Sequence, residues 1–118
     1  MDAATATRGS DRDRTLDSVF KALGDPTRRA IIAQLTHGDA TMTQIADQFD
    51  MSLPGVSKHV TVLEDAGLVR RWRSGRSRHC RLEIEPMEVA SEWLTGQARF
   101  WTHTLDALSA FLEGESTT

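Results

Sequence analysis

The stretch Ser52-Leu53-Pro54-Gly55-Val56-Ser57-Lys58-His59-Val60-Thr61-Val62-Leu63-Glu64-Asp65-Ala66-Gly67 decides the fold. Ser52 is a strong N-cap type, because its hydroxyl accepts from an amide of the first helical turn. Pro54 costs nothing there, since the amides of that turn have no intrahelical partner. Val56, Val60 and Leu63 recur at i, i+4 and i+7, so one face turns inward. Gly67 supplies a left-handed stop. The spacing predicts a helix over 53–66. Its other side shows Pro54, Gly55, Ser57, Lys58, His59, Thr61 and Val62. Ordinary surface helices carry more Glu and Lys pairs than this. Small residues near the start allow close approach, and the DNA major groove, about 12 Å wide, admits such a helix. Ser57, His59 and Thr61 are candidates to reach base edges or phosphates, and Lys58 guanine or the backbone. The helix start at Ser52 favours a phosphate.

Downstream the hydrophobic period changes. Leu68, Val69 and Trp72, then Cys80, Leu82 and Ile84, form two short runs around Ser74-Gly75-Arg76-Ser77. That pattern reads as a β-hairpin over 69–84. Arg70, Arg71, Arg73, Arg76, Arg78 and Arg81 crowd into it, with no acidic residue before Glu83. Strand alternation cannot bring all six to one surface. Arg73, Arg76 and Arg78 cluster at the tip and are the candidates for phosphate or minor-groove contact. Charge on a hairpin also serves to block edge-to-edge aggregation, but its place beside a polar, capped helix favours DNA.

Upstream, Leu16, Val19, Phe20 and Leu23 mark a helix that ends at Gly24. Asp25 reads as the N-cap of the next, with Pro26 at its first position and Ala30, Ile31 and Leu35 inward. Thr41 or Thr43 caps a short third helix holding Ile45, Ala46 and Phe49, and Asp50-Met51 reads as a tight turn. Beyond the hairpin, Pro86 opens a long helix to about Leu112, interrupted in its pattern by Gly96. The order is helix, helix, short helix, capped helix, hairpin, long helix. The expected architecture is mainly α (α+β): a winged helix-turn-helix of about five helices with a two-stranded wing. Residues 1–14 lack large apolar side chains and are expected to be a disordered tail. The domain is expected over 15–113, with a flexible tail over 114–118.

Charge is distributed unevenly. The chain of 118 residues has a net charge of −3, which at first argues against a nucleic-acid partner. Counted by segment, however, residues 53–84 carry seven basic and three acidic residues, whereas 85–118 carry one and six. DNA responds to the local field rather than the sum. No apolar run approaches the ~18 residues of a membrane span. The polar N-terminus lacks the apolar core of a secretory signal, so the expected compartment is the cytoplasm. The single cysteine, Cys80, cannot form an intrachain disulfide. No nucleophile elbow, glycine-rich phosphate loop or metal pair is present, so the chain is not expected to be an enzyme and no cofactor is expected. A winged helix that binds only protein is the competing class.

The combination of Leu23-Gly24-Asp25-Pro26-Thr27-Arg28-Arg29 with Ile31-Ile32, then Ile45-Ala46, then Ser52 to Val69, resembles the ArsR/SmtB family of bacterial winged-helix repressors. The resemblance covers about residues 16–84. It implies a recognition helix at 53–66, a wing at 69–84 and repression by occupancy of operator DNA, released by an unidentified small-molecule effector. It also implies a homodimer built from the first and last helices. Leu16, Val19 and Phe20, with Trp93, Phe100, Trp101, Leu105 and Leu108, are the corresponding residues here. The aromatic members of that stripe read as dimer core or as an effector pocket. Many members sense metals through cysteines of the third helix or through Asp, His and Glu of the last. This chain departs from both patterns: Thr43 to Phe49 has no cysteine, and His103 with Asp106 stands alone. A metal- or redox-responsive member remains the alternative, with the metal-independent type expected.

Overall fold

The computed structural model describes residues 3–116, with Met1, Asp2, Thr117 and Thr118 outside the described residues. Helix α1 (Ala3–Leu23) leads to α2 (Pro26–Thr36), a short strand β1 (Ala40–Thr41), α3 (Met42–Phe49) and α4 (Leu53–Asp65). Strands β2 (Val69–Ser74) and β3 (Ser77–Leu82) follow, and α5 (Glu85–Ser116) ends the chain. The three strands form one antiparallel sheet in the order β1-β3-β2.

Local chemistry sets most of these boundaries. Asp25 caps α2 by accepting from the Arg28 amide at 3.0 Å. Of the two threonines before α3, Thr41 is the cap. Its hydroxyl accepts from the Gln44 amide at 3.1 Å, and the Gln44 side chain accepts from the Thr41 amide at 2.8 Å. This reciprocal capping box satisfies two otherwise orphaned donors. Asp50 takes a left-handed backbone (φ 52°) and turns the chain, with the Met51 amide bonded to the Ala46 carbonyl at 2.9 Å. Ser52 then caps α4 through the Gly55 amide at 3.2 Å. Helix α4 ends one residue before the expected Ala66, and Gly67 follows at φ 73°.

The core is continuous across the helices and the sheet. Val19, Ile31, Ile45, Val56, Val60, Leu63, Leu68 and Cys80 are wholly buried. Each element with a large apolar side chain in that cluster loses on the order of 1.5–3 kcal/mol per side chain if it is re-exposed. Leu16 and Val19, expected to meet a partner subunit, belong to this cluster instead. Val19 lies i+3 from Leu16 on the face that α1 turns toward its own protomer. Phe20 sits one residue round the helix, is partly exposed, and meets Trp93 of α5 edge-on at 5.7 Å.

The two expected tails need correction. The tail expected over residues 1–14 is helical from Ala3 on. Large apolar side chains are required to dock a helix, not to form one, and the Ala-rich start has high helix propensity. Likewise α5 runs on to Ser116, into the expected tail, and Gly96 does not interrupt it. The wing is the expected two-stranded hairpin, and a third, short strand joins its sheet. Ala40 pairs with Cys80 and Thr41 with His79, and two residues are too few to show a period of two. No described helix is long and apolar enough to cross a membrane.

Candidate nucleic-acid interface

Helix α3, the turn at Asp50 and helix α4 form the helix-turn-helix, and the β2–β3 hairpin rises beside it. The hairpin closes with Ser74 paired to Ser77, leaving Gly75-Arg76 as a two-residue turn. Gly75 has φ 61°, the left-handed value that turns matching the twist of a hairpin require. Pairing also sorts the arginines by face. Arg71, Arg73 and Arg78 share the face of Val69 and Cys80, toward α4; Arg70 and Arg81 lie on the other.

Partners separate these cations further. Arg71 donates to Glu64 Oε1 at 2.9 Å. Arg81 donates to both oxygens of Asp39, most closely at 2.8 Å. That bond holds the Asp39 carboxyl below its usual range. Arg70 and Arg81 also stand over the Trp72 ring, at 5.2 and 5.1 Å, and His79 stacks on it at 5.5 Å. Arg73, Arg76 and Arg78 are exposed and have no ion pair among the described residues. The hairpin tip thus keeps the uncompensated charge.

A cleft of about 720 Å³ opens between the start of α4 and this tip. Leu53, Pro54 and Ser57 line it from α4, Arg76 and Arg78 from the hairpin, and Thr41 and Thr43 from the start of α3. Four of the residues expected to contact DNA, namely Pro54, Ser57, Arg76 and Arg78, are therefore brought to one concave surface. The cap Ser52 and, on α4, Lys58 and Thr61 are exposed outside it, and Gly55 is half-buried under the Ser52 cap. Thr41, Thr43 and Leu53 were not expected at the site. A capping threonine betrays a helix start, but the meeting of two helix starts depends on the tertiary fold.

His59 departs from expectation. The helix turns it back toward α2 rather than outward. It is half-buried, with Nδ1 3.8 Å from Asp25 Oδ2 and 3.5 Å from Arg28 Nη1. It sits one residue before Val60 and three after Val56, so it borders the inward stripe. Arg28 in turn donates to the carbonyls of Ala22 (2.8 Å) and Lys21 (3.0 Å) at the end of α1. The node ties α1, α2 and α4 together. The amide of Arg28 is the main reason the Asp25 carboxyl is held below its usual range, with the charge of His59 a smaller one.

Cys80 is wholly buried, and its thiol donates to the Met42 sulfur at 3.4 Å. Burial raises its pKa, which keeps it a thiol and makes it a poor nucleophile. Among the described residues no three of His, Cys, Asp and Glu converge as a metal site would require.

Away from the cleft, α5 exposes Trp93, Leu94, Phe100, Trp101, Leu105, Leu108, Phe111 and Leu112. At 100° per residue these fall on one broad stripe of the helix, continuous with Ala90, which is buried against the core. Contiguous apolar surface of this kind marks an interaction site.

Comparison with known proteins places this arrangement. A helix-turn-helix domain family matches residues 23–71. The chain is 34% identical over 79 residues to the transcriptional repressor SdpR of Bacillus subtilis, covering 67% of this chain and 88% of that one. It is 35% identical over 102 residues to the HTH-type transcriptional regulator Rv2034 of Mycobacterium tuberculosis, covering 86% and 92%. Among solved structures, the ArsR family transcriptional regulator RHA00566 superposes with a TM-score of 0.71 at 42% identity, over 76% of this chain and 93% of that one. A homodimeric winged helix-turn-helix DNA-binding domain from Mycobacterium bovis superposes with a TM-score of 0.60 at 25% identity, over 88% and 91%.

Proposed function

Because the chain belongs to the ArsR/SmtB family of winged helix-turn-helix transcriptional regulators, we propose that it works in the cytoplasm as a homodimeric repressor of an inverted-repeat operator. The observation that carries this reading is the cleft, where the capped start of α4 faces Arg76 and Arg78. Helix α4 enters the major groove with Pro54, Ser57, Lys58 and Thr61 toward the bases, and the helix start at Ser52 meets a phosphate. The hairpin is the wing, and Arg73, Arg76 and Arg78 hold the flanking backbone. Such contacts fix register, while base edges confer sequence preference.

Dimerisation follows from the exposed stripe of α5 together with Phe20. Burying Trp93, Phe100, Trp101, Leu105 and Leu108 against a second copy removes apolar surface that a lone protomer leaves in water. A two-fold axis then sets two α4 helices in successive major grooves, about 34 Å apart or a multiple of that. The relative SdpR is a repressor and the Mycobacterium bovis domain a homodimer, which supports the same reading here. Occupancy of the operator blocks transcription, and an effector of unidentified chemistry releases it.

The test is fluorescence anisotropy with a duplex from upstream of the gene and a scrambled duplex at physiological salt. The wild-type protein is expected to prefer the first by at least ~1000-fold. Changing Arg76 and Arg78 to Ala should weaken binding to both duplexes, and the slope of log affinity against log salt should fall by about one per lost phosphate contact. An unchanged slope in the variant removes the wing from the interface.

A further inference from the structure

Two hydroxyl groups of α4 bond differently from those that close back on their own helix. Thr15, Thr36 and Thr104 each donate to the carbonyl four residues earlier, at 3.0, 2.9 and 2.9 Å. Ser57 and Thr61 behave differently. Their oxygens accept from Arg71, through Nη1 at 3.4 Å and Nη2 at 3.3 Å. Among the described residues their hydroxyl hydrogens meet no acceptor. Arg71 is held in place by Glu64, one turn further along α4, and its side chain is only 21% exposed. One guanidinium therefore spans three positions on the same side of α4.

A hydroxyl has one hydrogen to donate and two lone pairs to accept with. A cation on one lone pair leaves the hydrogen directed away from it and strengthens it as a donor, because linked hydrogen bonds polarise one another. Ser57 lines the cleft next to Arg76 and Arg78, so its hydrogen is available to whatever enters there. We propose that Arg71 is a positioning residue that sets the polarity of Ser57 and Thr61, presenting both hydroxyls to DNA as donors. Their partners are then acceptor atoms: phosphate oxygens, or the O6 of guanine, the N7 of guanine or adenine and the O4 of thymine on the major-groove edge. The amino groups of cytosine and adenine are disfavoured at these two contacts. The inference rests on the reading of α4 as the recognition helix, and it adds a specificity role for an arginine that never touches the nucleic acid.

The experiment is a double-mutant cycle on the full-length protein. A random duplex library is selected with the wild-type protein, and affinities of wild type, S57A, R71M and the double variant are measured on the selected duplex and a scrambled one. S57A is expected to weaken binding to the selected duplex by about tenfold in the wild-type background, and by less than about twofold in the R71M background. Loss confined to the selected duplex assigns a base edge as the acceptor, and equal loss on both duplexes assigns a phosphate. A full tenfold cost of S57A in the R71M background overturns the proposal, since Arg71 then only props the wing. So does an S57A variant that binds as tightly as wild type. R71K serves where R71M does not fold. Its single ammonium cannot span all three acceptors, so the cost of S57A should again shrink, and an undiminished cost is again contrary. Failure of the wild-type protein to enrich any sequence overturns this inference and the proposed function together.

Discussion

Helices α4 and α5 are both amphipathic, and the protomer uses them in opposite ways. Helix α4 buries Val56, Val60 and Leu63 completely and leaves its polar side in water. Helix α5 buries only Ala90 among its described residues and leaves eight large apolar side chains exposed. The same periodic pattern thus yields two different outcomes. On α4 the hydrophobic demand is met inside the chain, and what remains is a polar side that includes Ser57, Lys58 and Thr61. On α5 the demand is unmet, and what remains suits a second apolar surface. Folding of the protomer finishes one helix and leaves the other with an exposed apolar stripe.

Breaking that contrast at α5 should have the largest effect. Leu105→Asp places a charge in the middle of the exposed stripe. It is expected to leave the protomer folded, since Leu105 touches no core residue, and to shift the sedimenting species from dimer to a 13.1 kDa monomer. Affinity for the operator should then fall by at least ~100-fold, because two linked half-sites bind with an avidity that one lacks. A variant that stays dimeric places the partner surface elsewhere.

A smaller effect sharpens the α4 side. His59→Ala removes a half-buried contact to α2 rather than a base contact. It should destabilise the fold by about 0.5–1.5 kcal/mol in urea titration, and weaken operator and random DNA by the same factor. A loss confined to the operator would return His59 to the bases.

The smallest effect concerns Asp39, whose bond to Arg81 ties the loop before β1 to β3. Its carboxyl is held below the usual range in the folded state. The stabilisation is therefore present above the ordinary aspartate value and lost as pH falls through the folded one. Asp39→Asn should lower the melting temperature slightly at neutral pH, and the gap to wild type should close in acid. A gap that is constant with pH counts against the ion pair.

Much of this arrangement could be read from the residues alone. Asp25-Pro26, Ser52 with Pro54, and Gly67 mark helix ends by local chemistry, and each behaves as its type dictates. The tip arginines, Arg73, Arg76 and Arg78, are marked in the sequence by their place around Gly75, whereas the tie of Arg71 to Glu64 is a tertiary contact. What was not legible depended on contacts distant in sequence. Val19 and Phe20 are neighbours on one pattern, and only the packing of α1 on the core decides that one is buried and the other faces α5. His59 looked outward because α2, 31 residues earlier, is absent from any local window. The two-residue strand β1 exists only because β3 offers it an edge.

The length of α5 has a mechanical consequence. Its 32 residues make a rod of about 48 Å, rooted beside the wing at Glu85. A rod that long converts angle into distance. If two copies cross along their apolar stripes, a pivot of only about 5° at the far end displaces the root by roughly 4 Å, close to the ~3.4 Å rise of one base pair. The separation of the two reading heads is then a leveraged quantity, and a displacement among Trp93, Phe100 and Trp101, roughly 22–35 Å from that pivot, reaches the root magnified by about twofold at most.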